Sequence, residues 1–221
     1  MNYAFYVSGN ASRLIKILQL PNSKTSIFIP KVKTIIYDGT NQEVVSKMKN
    51  LIKPYEIGIT LVDYKSLNLT RKEESNYISE LIINKFNQHL IDYCFCFGDR
   101  ILRPKLINEH PNKIINFHPS LLPAFPGLNA IDQALKANTL LLGNTAHFID
   151  ESIDSGLIIQ QSYLPKAMFN DYEDVLKLQV PMFLQIFLWL EANRITTENN
   201  CVLIKSAKYS LQSQFTPALE L

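Results

Sequence analysis

Residues 56–98 read EIGITLVDYKSLNLTRKEESNYISELIINKFNQHLIDYCFCFG, and the order of patterns inside them decides the fold class. Glu56 to Tyr64 is rich in β-branched and apolar types and reads as a strand. Arg71 to Leu90 starts charged and then carries Tyr77, Ile78, Leu81, Ile82 and Phe86 at helical spacing. Asp92 to Gly98 is again a strand, with Cys94 and Cys96 on one face. A strand, a helix long enough to recross the sheet and a second strand make the unit that joins parallel neighbours.

The alternation continues in both directions. Upstream, Tyr3–Val7 is a strand closed by SGNAS and followed by a helix in SRLIKILQL; VKTIIYDG and NQEVVSKMKNLI repeat the pair. Downstream, KIINFH adds a fifth strand. The expected fold is α/β, a doubly wound and mostly parallel sheet with helices on both faces, in the Rossmann manner. Beyond residue 127 the pattern changes. GLNAIDQALKA reads as a short helix, LLGNTAHFID and LIIQQSYL as strands joined by the turn ESIDSG, and CVLIK as a last short strand. DYEDVLKLQVPMFLQIFLWLEAN reads as a long helix that Pro181 kinks or divides. Without repeat, linker or low-complexity tract, one domain over residues 1–221 is expected.

Apolar residues make up 47% and charged residues 19% of the 221, with a net charge of +2 and basic residues spread along the chain. Nucleic acid is disfavoured as a partner, because neutralising phosphates needs a basic face. The N-terminal MNYAFYVSGN lacks a basic segment followed by an apolar run, and VPMFLQIFLWL is too short to span a bilayer. No membrane partner and a cytoplasmic location are expected. Three cysteines, Cys94, Cys96 and Cys201, lack the spacing of a zinc site and fit a reducing compartment, so no metal is expected.

The chemistry-bearing stretch is NFHPSLLPAFPGLNA, Asn116 to Ala130. Asn116 and His118 stand two apart at a strand end, so their side chains share a face. Pro119 keeps His118 extended, and the prolines that follow stiffen the turn. Two such side chains either stabilise a developing oxyanion or merely satisfy the loop backbone, and spacing alone weighs these equally. A charged His needs a carboxylate, and Asp150, Glu151 and Asp154 lie in the turn IDESIDSG. Asp154 precedes Ser155-Gly156, a turn able to present it inward. His147 alone reads as a core histidine. SGNAS offers backbone N–H groups to an anion or forms an ordinary turn, and Arg100 in GDRIL pairs with a carboxylate, lines a pocket or is solvated.

SGNAS, GDRIL, NFHPSLLPAFPGLNAIDQAL and GNTAHFIDESIDSGLIIQQ, in this order and spacing, resemble the folate-dependent formyltransferases, nearest to the branch acting on glycinamide ribonucleotide in purine biosynthesis. The likeness is strongest from Ile115 to Gln161. It implies that Asn116, His118 and Asp154 are catalytic, with Asp154 keeping a protonated His118. It places Arg100, Ile101, Leu102, Asn116, Asp150 and Asp154 against 10-formyltetrahydrofolate, the formyl donor, and His147 near the site. Ala11, Ser12 and Arg13 fall in the loop that holds the phosphate of the small amine acceptor. The family's loop carries a Gly where this chain has Ala11; the family also places a Gln and a Glu for the acceptor on its C-terminal helix, and the Glu has no match in QVPMFLQIF. Another amine, such as a nucleotide-linked amino sugar, is the alternative acceptor. A non-catalytic folate- or nucleotide-binding protein is the alternative class, and a homodimer stays open.

Overall fold

The computed structural model describes residues 1–221. Its strands are β1 (Tyr3–Val7), β2 (Val32–Tyr37), β3 (Gly58–Leu61), β4 (Tyr93–Phe97), β5 (Ile114–His118), β6 (Leu141–Phe148), β7 (Ile158–Pro165), β8 (Ile195–Glu198), β9 (Cys201–Ile204) and β10 (Phe215–Thr216). An eight-stranded sheet has the order β10-β7-β6-β5-β4-β1-β2-β3, and β8 and β9 form a separate hairpin. The chain divides into two compact units, Met1–Ile115 and Asn116–Leu221.

In the first unit β1 pairs parallel with both β2 and β4, and β2 pairs parallel with β3. All five residues of β1 are buried, as a parallel strand covered on both faces requires. Strand order reverses at β1 and β4. Right-handed crossovers on either side of a reversal place their helices on opposite faces, and loops beyond the strand ends open a crevice there.

The helices here are α1 (Ser12–Leu18), α2 (Asn22–Phe28), α3 (Gln42–Ile52), α4 (Tyr64–Leu67), α5 (Arg71–His89) and α6 (Pro104–Glu109). The Asn41 side chain accepts from the Glu43 and Val44 N–H groups to start α3, and Thr70 with Glu73 forms a capping box for α5. The buried face of α5 is Ser75, Ile78, Ser79, Ile82, Ile83 and Phe86. This corrects the sequence reading by part of a turn: Tyr77 is exposed and Leu81 half-buried. Two serines take core positions because they are small, and Ser79 Oγ donates back to the Ser75 carbonyl at 2.7 Å.

The second unit carries β6 and β7 as an antiparallel hairpin with a register irregularity between Ala146 and His147. Its helices are α7 (Ala130–Lys136), α8 (Tyr172–Leu176) and α9 (Gln179–Glu191). Pro181 divides the long helical pattern. It sits third in α9, inside the first turn, where its missing N–H has no helical partner to lose. The rest of α9 is core, with Met182, Phe183, Ile186, Phe187 and Trp189 almost fully buried. Cys94 and Cys96 are buried and Cys201 is exposed, all as free thiols. No helix is long and apolar enough to cross a membrane.

Candidate active site

Strand β5 ends at His118, and the cis-proline turn at Leu122-Pro123 carries the chain to Phe125. His118 is 5% exposed and has a hydrogen-bond acceptor at each ring nitrogen. Nε2 lies 2.9 Å from the Phe125 carbonyl, and Nδ1 lies 3.2 Å from Asp154 Oδ2. A neutral imidazole has one N–H, so either tautomer turns a lone pair towards an acceptor; only the imidazolium satisfies both.

Asp154 reaches this position from the turn after β6, in a left-handed backbone conformation (φ 52°) that Asp tolerates better than most residues. The same Oδ2 accepts the Gly127 N–H at 2.7 Å. Gly127 itself has φ 81°, so a residue with free access to that region fits there. Gly156 closes the turn, and a Cβ on it would lie 1.7 Å from the Phe148 carbonyl oxygen.

His147 is 1% exposed and completes the group. The irregularity at Ala146/His147 re-aims its ring. Nδ1 donates to the Phe148 carbonyl at 2.9 Å, which leaves Nε2 to accept from Asn116 Nδ2 at 3.2 Å. Nε2 also lies 3.6 Å from Asp154 Oδ1. Asn116 thus spends one amide hydrogen on His147. His147, read from the sequence as a core residue, is the member that spacing alone missed. Its signal was its place on the same hairpin as Asp154, with only Phe148 to Ile153 between them.

Burial pushes the His118 pKa below its ordinary value; the Phe125 carbonyl and the Asp154 charge oppose this, and His147 adds to it. Burial thus works against the charged form of His118, while Asp154 and the Phe125 carbonyl work for it. For Asp154, burial acts upward but is outweighed by the His147 contact, the Gly127 N–H and the His118 ring, so the carboxyl titrates below the usual range. Asp150 does not join the cluster through its carboxylate: Oδ1 accepts from Ser152 N at 3.2 Å and Ser155 Oγ at 2.8 Å, shaping the turn.

In the first unit, Arg100 follows β4 at the strand-order reversal. Its Nε donates to Glu74 at 2.8 Å, its Nη1 to Asp99 at 2.6 Å, and its guanidinium lies 4.8 Å from the centre of the Tyr64 ring. Arg100 is thus held by two carboxylates rather than solvated. Ile101 is exposed and Leu102 buried. In the β1–α1 loop, the Ala11 N–H bonds the Ser8 carbonyl and the Ser12 N–H bonds Asn10 Oδ1, both at 3.1 Å. Arg13 donates to the Phe97 carbonyl at 3.2 Å and covers the Phe97 ring. No three His, Cys, Asp or Glu side chains are grouped to hold a metal ion.

Comparison with known proteins gives a consistent result. The family model described as formyl transferase matches residues 1–179. Formyltetrahydrofolate deformylase of Haemophilus influenzae is 33% identical over 149 residues, 64% of this chain and 51% of that protein. The chain thus spans about half of that relative's length. Phosphoribosylglycinamide formyltransferase of Bacillus subtilis is 38% identical over 176 residues, 79% of this chain and 83% of that protein. The crystal structure of phosphoribosylglycinamide formyltransferase from Anaplasma phagocytophilum has the same fold, with a TM-score of 0.76, 24% identity and coverage of 96% of this chain and 97% of that one.

Proposed function

Because the chain belongs to the formyl transferase family, we propose that it moves the formyl group of 10-formyltetrahydrofolate to an amine, with glycinamide ribonucleotide as acceptor. One observation carries this reading: Asn116, His118 and Asp154 converge with His147 in a buried cluster at the end of β5. Residues 1–221 act as one catalytic domain in this proposal. Arg100, Ile101 and Leu102 hold the folate, and Ala11, Ser12 and Arg13 meet the acceptor's phosphate.

The chemistry is addition followed by elimination. The neutral amine nitrogen attacks the formyl carbon, and the formyl oxygen becomes an oxyanion. The free hydrogen of the Asn116 amide donates to it. The Nε2–H of His118, held by the Phe125 carbonyl in the empty site, is the second donor, since an anion competes well against a neutral carbonyl. Negative charge beside His118 favours the imidazolium, whose second N–H then meets Asp154. The amine loses one proton, the folate nitrogen gains one, and the bond between that nitrogen and the carbon breaks. Formylated amine and tetrahydrofolate leave.

Similarity to the deformylase supports a second reading, in which water replaces the amine and formate is released. Tetrahydrofolate release is measured with glycinamide ribonucleotide, with an amino-sugar nucleotide and with no amine. Release dependent on the ribonucleotide is expected. Equal release in every mixture establishes hydrolysis, release with the sugar alone moves the acceptor, and folate binding without release leaves a binding protein. His118→Ala must abolish whichever turnover is seen.

A further inference from the structure

Beneath the cluster runs a second, fully buried polar chain that the mechanism does not use. Gln179, the first residue of α9, is 0% exposed, as is Asn144 on β6. Asn144 Nδ2 donates to the Val175 carbonyl at 2.9 Å and to Ser162 Oγ at 3.1 Å. Gln179 Nε2 donates to Asn144 Oδ1 at 2.8 Å and to the Phe117 carbonyl at 3.2 Å.

The orientation of both amides is dictated from the two ends. Each end of the chain is a backbone carbonyl, which only accepts. The Val175 carbonyl requires the NH₂ of Asn144, so Oδ1 faces Gln179; the Phe117 carbonyl likewise requires the NH₂ of Gln179. Gln179 Oε1 is then left buried with no hydrogen bond. Burying an unsatisfied acceptor is unfavourable, and an apolar side chain would avoid it. The amide's distinctive contribution is its two donated bonds, and one of them ends on the carbonyl of Phe117, the residue between Asn116 and His118.

We propose that Gln179, oriented by Asn144, is a positioning residue. It fixes the Phe117–His118 peptide plane and so sets the aim of His118 and its placement relative to Asn116. Peptide planes are rigid, so rotation of this one re-aims His118 and changes its placement relative to Asn116, one residue beyond the plane. The inference rests on the formyl-transfer reading for its kinetic consequence, but not for its structural one.

The test compares Gln179→Met and Asn144→Ala with wild type in three measurements: thermal unfolding, steady-state formyl transfer and NMR titration of the His118 ring. Asp154, His147 and the Phe125 carbonyl, which face that ring, are unchanged in both variants. A positioning role predicts that kcat falls roughly ten- to hundredfold while KM for the formyl donor stays within about twofold. It also predicts a changed His118 titration midpoint, with Asn144→Ala showing the smaller effect. A folded Gln179→Met protein with wild-type kcat and an unmoved His118 titration overturns the proposal. If Gln179→Met does not fold, Asn144→Ala decides by the same two readouts. If wild type itself transfers no formyl group, the functional reading fails and the His118 titration alone decides the positioning role.

Discussion

Asn116 and His118 were legible as a pair from their spacing, but their purpose was not, because two polar residues at a strand end also serve a loop. Asp154 and His147 join the pair, and both depend on backbone detail: a left-handed φ at one and a strand irregularity at the other. Neither is written in side-chain periodicity. Asn116→Ala removes a donor that His147 holds in place. A fall in kcat of about a hundredfold or more, with little change in thermal stability, is expected from steady-state kinetics and calorimetry. Ala11 gives the opposite kind of prediction. Its φ of 48° is unfavourable for a residue with a Cβ. Relief of about 1–2 kcal/mol in the folded state outweighs the roughly 0.4–1 kcal/mol that glycine's freedom gives the unfolded chain. Ala11→Gly should therefore stabilise by about 0.5–1 kcal/mol, read from denaturant unfolding.

Among the elements, the long periodic ones were readable and the short ones were not. The length of α5 and its charged start emerged from sequence, while its inward face shifted because Ser75 and Ser79 are small enough to approach the sheet. The hairpin β8–β9 was half read: CVLIK was identified, but its partner RITTE was missed. The signal was Asn199-Asn200 between them, both with positive φ as a two-residue hairpin turn demands. Strand β10, at two residues, is too short to carry any pattern. The β6–β7 turn makes the sharpest prediction at this scale. Gly156→Ala drives a methyl into the Phe148 carbonyl, so the turn must open and withdraw Asp154. A loss of roughly 3 kcal/mol of stability or more together with loss of turnover is expected. Normal activity in a folded Gly156→Ala protein would contradict the role given to this turn.

For the whole molecule, the strand-to-helix alternation was sufficient to fix an α/β sheet with a reversal, since right-handed crossovers leave few other arrangements. Its response to pH follows from the two groups whose titration folding perturbs most within the cluster. His118 is depressed in the fold, so between its folded value and about 6.5 the unfolded chain binds more protons, and stability falls as pH drops through that window. His110, also lowered by burial, acts in the same direction. Asp154, depressed as well, stabilises above about 3.9 and loses that contribution only at still lower pH. Unfolding free energies from pH 8 to 5 should decline, and His118→Gln should flatten the slope by one histidine's share while His110 keeps the remainder.

The two acceptors flanking the His118 ring also tie ligand affinity to the acidity of the solution. An uncharged ring leaves one acceptor without a hydrogen, so an anion seated beside it makes room for a proton drawn from bulk water. A tetrahedral anionic mimic of the reaction should therefore bind with net uptake of up to about one proton. Calorimetry in buffers of different ionisation enthalpy would read that uptake as a buffer-dependent binding heat, and Asp154→Asn should shrink it.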